Sequence, residues 1–175
     1  MHEVVIINGI GRSGKDSFVK LCQKHFANTI NISSVDGVKL IASKMGWEND
    51  KSEKGRKFLS DLKVLWDDYN GEATARTFRR VLGYVDFMTD IDLGYLIFVH
   101  IREPEKIEEF KQMLKEKNIE PKTLIVTNKN IPEINSNHSD RDVYQYEYDY
   151  YIENNDTLDD LEEKAAWFVK ELKDA

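Results

Sequence analysis

The chain is short of several residue types, and each shortage excludes a class of protein. It has 175 residues but a single cysteine, Cys22, so it forms no intramolecular disulfide and no cysteine-based zinc cluster. Its 3 prolines and 9 glycines are too few for collagen-like or low-complexity chains, and its 41% hydrophobic content is typical of a globular protein. We therefore expect one domain spanning residues 1–175, in a reducing, cytoplasmic setting.

Positive charge and long apolar runs are also scarce. The formal net charge is -7 and the pI is near 5.2, which disfavours non-specific binding to a nucleic-acid polymer, because such binding needs a basic surface. No apolar run approaches the roughly 20 residues of a membrane-spanning helix. The start Met1-His2-Glu3 lacks the basic region of a signal peptide. We expect neither export nor membrane association, and the sequence predicts no particular oligomeric state.

Hydrophobic patterning predicts strands that alternate with helices. Short apolar runs, typical of strands buried on both faces of a parallel sheet, occupy residues 4–7, 29–32, 95–101, 124–127 and 148–152. Helical spacing predicts helices over 15–26, 104–117 and 157–172, with three more inside 35–88. Strands separated by helices form a sheet that is covered on both faces. The sequence therefore predicts a three-layer α/β/α fold with a mostly parallel, five-stranded sheet and a site at the carboxyl ends of the strands.

Two segments interrupt this alternation. Residues 35–88 are polar and helical, and we interpret them as an inserted helical layer. Residues 128–142 show no periodicity, which indicates a loop long enough to be functional. Apolar residues at helical spacing are predicted to pack in the core: Phe58, Leu62, Leu65, Trp66 and Tyr69. Tyrosines that alternate with polar residues are predicted to share one sheet face rather than to stack on bases: Tyr144, Tyr146, Tyr148 and Tyr150.

A glycine-rich motif directly after the first strand is typical of a phosphate-binding loop. Residues 9–17 read GIGRSGKDS, in which Gly9, Gly14 and Lys15 fit the pattern G-x-x-x-x-G-K. The glycines let backbone N–H groups turn towards a phosphate, and the N-terminus of the following helix attracts the same anion. The lysine of such a loop reaches the β- and γ-phosphates. The residues predicted to bind the phosphates are Gly9, Gly11, Arg12, Ser13, Gly14, Lys15, Asp16 and Ser17.

The residue after the lysine departs from the usual pattern. That position normally holds Ser or Thr, whose hydroxyl binds Mg²⁺, whereas here it is Asp16. A carboxylate is also a hard oxygen ligand, and Ser17 offers a hydroxyl beside it, so both residues are candidate Mg²⁺ ligands. The alternative is that Asp16 is a first-turn acid that interacts with the helix dipole.

The loop and three later segments resemble one family. The RSGKDS loop resembles the G-K-D loop of phage-type deoxynucleoside monophosphate kinases and animal-type phosphomevalonate kinases, which are P-loop relatives of adenylate kinase. Residues 100–105 (HIREPE) are similar to the strand-end D-V-R-x-x-x-E element of that family, and residues 138–140 (HSD) are similar to its H-x-S-E lid element. Residues 152–158 (IENNDTL) are similar to I-x-N-D-G-T-L before the last helix. His100 stands where the family has an acid, and Asp156 replaces a glycine.

The resemblance implies an ATP- and Mg²⁺-dependent kinase that transfers the γ-phosphoryl group to a phosphorylated small molecule, with a nucleoside monophosphate as the leading acceptor. Transfer of this kind needs positive charge around three phosphates, so the predicted catalytic residues are Lys15, Arg102 at a strand end and Arg141 in a lid-like loop. One alternative is a kinase of another phosphorylated metabolite, such as phosphomevalonate. The other is a non-catalytic nucleotide-binding module, which His100 in place of the family acid favours.

The resemblance also implies the remaining contacts. The helical layer at 35–88 would bind the acceptor, with these candidates: Ser34, Asp36, Lys39, Arg76, Arg79 and Arg80. At most two of the three arginines can share a helical face, and a solvated face is their alternative. An N-cap role explains Ser34 equally well. Asn154 and Asn155 would lie near the adenine, although turn residues of this kind need no ligand.

Overall fold

A parallel sheet of five strands forms the centre of the computed structural model, which describes residues 1–131 and 142–174. The strands are β1 (His2–Asn8), β2 (Thr29–Ser33), β3 (Tyr95–His100), β4 (Lys122–Thr127) and β5 (Tyr150–Glu153). They lie in the order β2-β3-β1-β4-β5, and every neighbouring pair is parallel. The central position of β1 explains its continuous apolar run, because both of its faces are covered.

Six helices surround the sheet. They are α1 (Lys15–His25), α2 (Asp36–Lys44), α3 (Glu53–Asn70), α4 (Glu72–Asp90), α5 (Pro104–Lys115) and α6 (Leu158–Asp174). On one face, α1 and α6 pack around the rings of Phe18, Phe98 and Phe168. On the other face, α4 and α5 bury Val81 and Phe110. Each fully buried side chain of this kind stabilises the fold by about 1.5–3 kcal/mol. The three-layer α/β/α prediction is confirmed.

The core prediction for the apolar stripe of α3 is wrong. Leu65 and Tyr69 are 67% and 83% exposed, whereas the long side chain that α3 buries is that of Lys63. The helix packs against α2 and α4, and these two neighbours leave part of its apolar stripe exposed. Periodicity shows which residues share a face, but it does not show which neighbour covers that face.

The prediction that Tyr144, Tyr146, Tyr148 and Tyr150 share one sheet face is also wrong. Residues 142–146 form turns, and β5 begins only at Tyr150. The buried Tyr148 donates its hydroxyl hydrogen to the carbonyl oxygen of Val143, and its oxygen accepts a hydrogen bond from Asn8 Nδ2 at 2.7 Å. These contacts hold Tyr148 beneath the end of β1. In the described part of the chain, no helix is long and apolar enough to cross a membrane.

Candidate functional site

The carboxyl ends of β1, β2 and β3 open into a cavity of about 620 Å³. The loop between β1 and α1 lines one side of the cavity, and α3 lines the other. A second pocket of about 460 Å³ is lined by residues of β2, α2 and α4. Ser33, Asp36 and Lys39 line both spaces. The site therefore lies at the sheet edge where parallel α/β folds bind their ligands.

Two glycines fix the path of the loop that follows β1. Gly9 has a φ of +139°, and a Cβ atom there would lie 2.3 Å from the carbonyl oxygen of Val126. Gly14 has a φ of +99°, and a Cβ atom there would lie 2.2 Å from Asn154 Nδ2. Residues other than glycine rarely adopt these φ values, and neither position has space for a Cβ atom. The pattern G-x-x-x-x-G-K thus reflects a steric requirement of this loop.

Lys15 folds back beneath the same loop. Its Nζ donates hydrogen bonds to the carbonyl oxygens of Gly9 and Ile10, the second at 2.8 Å, and the residue is only 8% exposed. No side chain caps α1 at Gly14, so the N–H groups of its first turn have no side-chain acceptor at that position. Orphan N–H groups and a buried ammonium beside a glycine loop suit a phosphate group.

His100, at the end of β3, is uncharged at neutral pH. Burial, together with the nearby cations Lys15 and Arg102, lowers its pKa to about 4, although the carboxylates of Asp16 and Asp36 oppose the shift. Its Nε2 lies 2.6 Å from Asn31 Oδ1, so the neutral ring donates to that amide oxygen. Asp16 Oδ1 is 3.9 Å from the same nitrogen, and its carboxylate is 83% exposed. His100 is therefore held by a side chain rather than by a backbone group.

The neutral state of His100 predicts a pH-dependent stability. Since the unfolded chain takes up more protons than the folded chain between about pH 4 and pH 6.5, the free energy of unfolding falls as pH is lowered through that window. We expect a loss of about 1 kcal/mol between pH 7.5 and pH 5.5 from this group, measured by denaturant unfolding. A His100→Gln variant removes this part of the pH dependence. An identical pH dependence in both proteins would contradict a neutral, buried His100.

The segment after β2 carries ion pairs rather than free acids. Asp36 Oδ2 lies 2.8 Å from Arg80 Nη1, and its Oδ1 lies 3.5 Å from Lys39 Nζ. The N–H of Ser33 also donates to Asp36 Oδ2. Ser34 is buried and donates its N–H to the carbonyl oxygen of His100, and the N-cap of α2 is Val35. The N-cap alternative for Ser34 is therefore wrong.

The three arginines of α4 lie on two different faces of the helix, as their spacing requires. Arg76 and Arg80 line the second pocket. Arg79 is on the exposed side of the helix, where it pairs with Glu72. The stem of Arg76 packs over the first turn of α2, and a Cβ atom at Gly37 would lie 3.0 Å from Arg76 Cδ. The described structure thus brings two of the three predicted arginines to the second pocket.

The sequence pattern did not predict that α3 forms one wall of the cavity. Its cavity-facing residues, spaced i, i+3, i+4 and i+7, are Arg56, Leu59, Ser60 and Lys63. Lys63 Nζ lies 2.8 Å from Glu103 Oε2, and the two side chains are only 4% and 17% exposed. The one available signal was the spacing of Arg56, Ser60 and Lys63, which becomes informative only when the position of the cavity is known.

Three further predicted residues have different placements. Arg102 lines the cavity, and its carbonyl oxygen accepts a hydrogen bond from Asn8 Nδ2 at 2.9 Å. Asn154 Nδ2 donates to the carbonyl oxygen of Ser13, so it braces the glycine loop. Asn155 Oδ1 accepts from the N–H of Lys129. Arg141 and the segment 138–140 lie outside the described residues.

Sheet order and layers together define an α/β fold with five parallel strands, and this fold matches that of P-loop kinases of known structure. Among solved structures, the chain is similar to a mutant of the Mycobacterium tuberculosis APS kinase, with 14% identity, 98% coverage of both chains and a TM-score of 0.57. The same kinase in complex with AMPPNP and APS gives 12% identity, 98% coverage of both chains and a TM-score of 0.58. Comparison with protein-family models and with curated proteins gave no match.

Proposed function

We propose that this protein is an ATP-dependent kinase that transfers the γ-phosphoryl group to a phosphorylated small molecule, with a nucleoside monophosphate as the leading acceptor. The main support for the proposal is the excess of positive charge around the cavity. In a chain of net charge -7, seven basic and only four acidic residues line this space. A concentration of positive charge around one cavity suits two phosphorylated ligands, whose charges must be balanced during transfer.

The donor half of the site is the glycine loop. In the proposed role, Lys15 contacts the β- and γ-phosphates, while Arg12, Ser13 and the N-terminus of α1 bind the same chain of phosphates. The similarity in fold to an APS kinase solved with AMPPNP and APS supports ATP as the donor. Because Asn154 is bonded to Ser13, we assign it a role in bracing the loop beside the nucleotide.

Asp16 and Ser17 are the residues that would hold Mg²⁺. No three His, Cys, Asp or Glu side chains of the described residues converge to form a metal site. The carboxylate of Asp16 and the hydroxyl of Ser17 fit Mg²⁺, which commonly binds one or two protein oxygens and takes its other ligands from phosphates and water. When bound, the ion would neutralise charge on the β- and γ-phosphates. The exposed carboxylate of Asp16 can approach such an ion from solvent.

The acids of the cavity favour a phosphorylated acceptor over a neutral hydroxyl. A hydroxyl acceptor gives up a proton on attack and needs a base, whereas a phosphate oxygen is already ionised at neutral pH. Asp36 is paired with Arg80 and Lys39, and Glu103 is paired with Lys63. Both carboxylates are therefore engaged with cations rather than placed as unpaired bases. In the proposed site, Asp36 positions Lys39 and Arg80 for the acceptor.

Acceptor contacts are assigned to residues around the second pocket and the sheet edge. They are Ser34, Lys39, Arg76, Arg80 and Arg102. Arg102 also lies beside the phosphate loop, and we assign to it, and to Arg141 of the lid-like segment, stabilisation of the charge on the transferred group. Another phosphorylated metabolite would use the same lysine and arginines with different contacts in the second pocket.

A second candidate is a nucleotide-binding module without catalysis. The neutral imidazole of His100 favours it. In the deoxynucleoside monophosphate and phosphomevalonate kinases that the loop resembles, this position holds an acid that supports the metal or the substrate. A panel experiment separates the two functions. ADP release is measured with ATP and Mg²⁺ against ribo- and deoxyribonucleoside monophosphates and phosphomevalonate, with a control lacking acceptor. Acceptor-dependent turnover of about one per second or more indicates a kinase. ATP binding without turnover on any acceptor supports the module.

A further inference from the structure

Arg56 reaches the phosphate loop from the opposite wall of the cavity. Its Nη1 lies 3.2 Å from the position that a Cβ atom would occupy at Gly11, so the guanidinium group is within van der Waals reach of the loop backbone. The side chain is partly buried, and it lines the cavity together with Lys15. A helix outside the motif thus adds a further cation to Arg12 and Lys15 of the loop.

The N-terminus of α3 is built to hold Arg56 in place. Ser52 caps the helix by accepting the N–H of Gly55 at 3.2 Å, and Asp50 in turn accepts from the N–H of Ser52 at 2.8 Å. A Cβ atom at Gly55 would lie 2.4 Å from the carbonyl oxygen of Asp50, so the turn before Arg56 is tightly packed. Two turns further on, the Lys63–Glu103 pair joins α3 to the residue after Arg102. Both ends of this helical face are therefore anchored.

Arg56 has no counter-ion in the described part of the chain: the ion pairs of α3 involve Lys57 and Lys63 instead. A partly buried guanidinium is stabilised by an anion that accepts two of its N–H groups. Arg56 approaches the loop at Gly11, which directly follows Gly9 and Ile10, the two residues whose carbonyl oxygens Lys15 Nζ bonds. Since that lysine reaches the β- and γ-phosphates in loops of this kind, a cation beside Gly11 lies towards the same β,γ end of a bound phosphate chain.

We propose that Arg56 is a catalytic residue that contacts the γ-phosphoryl group of ATP; this inference rests on the ATP site of the proposed function. In the transfer, the bond between the γ-phosphorus and the β,γ-bridging oxygen breaks, ADP leaves with the electron pair, and an acceptor phosphate oxygen forms the new bond. Arg56 donates N–H groups to the γ oxygens while this charge shifts. No proton has to leave the acceptor.

The test compares ATP with ADP, which differ only in the γ-phosphate. Arg56→Ala, Arg56→Lys and a control, Lys57→Ala, are titrated with ATP·Mg²⁺ and with ADP·Mg²⁺ by calorimetry. Lys57 is the adjacent residue; its side chain is 66% exposed and pairs with Asp61, so its loss has little effect. We expect Arg56→Ala to weaken ATP binding by about tenfold, the range for charged hydrogen bonds, and ADP binding by less than about threefold. Arg56→Lys recovers part of the loss, because it keeps the charge without the planar fork.

The outcomes separate this proposal from the function on which it rests. Equal losses for ATP and ADP, or no loss for either, overturn the role of Arg56 while nucleotide binding stands. A wild-type chain that binds neither nucleotide overturns both. A selective loss of ATP affinity in a protein that shows no turnover on any acceptor supports the Arg56 contact and overturns only the kinase activity. Thermal unfolding of each variant shows that it is folded.

Discussion

Replacing Lys15 by alanine is expected to lower phosphoryl transfer by about a thousandfold and to weaken ATP binding. The ammonium group lies under the loop, is almost completely buried and bonds the carbonyl oxygens of Gly9 and Ile10. Phosphate oxygens bound in the loop can replace these carbonyl oxygens as its acceptors, and a charge held in a buried site contributes strongly to stabilising a transition state. Turnover is measured by ADP release, and ATP binding is measured by calorimetry.

The matched control for Lys15 is Lys20→Ala, because Lys20 is an exposed lysine of the same helix. We expect its turnover and ATP affinity to match those of the wild-type protein. A Lys15→Ala protein that is folded and still binds ATP·Mg²⁺ with wild-type affinity would overturn the assignment of the loop as a phosphate site.

The second large effect is expected at Gly9. In Gly9→Ala, the new methyl group would lie 2.3 Å from the carbonyl oxygen of Val126, which belongs to β4 and is held by the sheet. The loop must shift away from β4, and the residue must also adopt a φ of +139° that side chains rarely tolerate. We expect a loss of about 2–3 kcal/mol in the free energy of unfolding and loss of ATP binding.

A Gly46→Ala variant separates the effect of backbone strain from the effect of the contact with Val126. Gly46 also has a positive φ, of +89°, but no described atom lies within 4 Å of its Cβ position. We expect this variant to lose only about 1 kcal/mol from backbone strain and to bind ATP normally. Denaturant unfolding and calorimetry on both variants provide the comparison. A Gly9→Ala protein as stable as Gly46→Ala would show that the contact with Val126 does not fix the loop.

Local sequence was sufficient to predict the sheet and the position of the glycine loop between β1 and α1. The apolar run of β1, the glycines after it and the amphipathic pattern of α1 each depend on residues that are near one another in the chain. The structure adds the reason for the spacing, since Gly9 and Gly14 are enclosed by Val126 and Asn154, which are far away in sequence. That steric requirement could not be read from the motif.

The proposed acceptor side could be predicted only in part, because its geometry depends on contacts between distant elements. Asp36 was a candidate ligand, yet its pairing with Arg80 links residues 44 positions apart and converts it into a support for cations. Arg56 and Lys63 were missed altogether. Their neighbours Phe58 and Leu62 form an apolar pattern that favoured core packing, and no local signal shows that the opposite face of α3 lines a cavity.

The most direct test of the account follows the γ-phosphate itself. The protein is incubated with Mg²⁺, ATP labelled in the γ-phosphate and each nucleoside monophosphate in turn, and the products are separated. The account predicts that label appears in a nucleoside diphosphate with the wild-type protein and not with Lys15→Ala. Label that stays in ATP or passes only to inorganic phosphate, in a protein that binds ATP and has been tested on every phosphorylated acceptor of the panel, would contradict it.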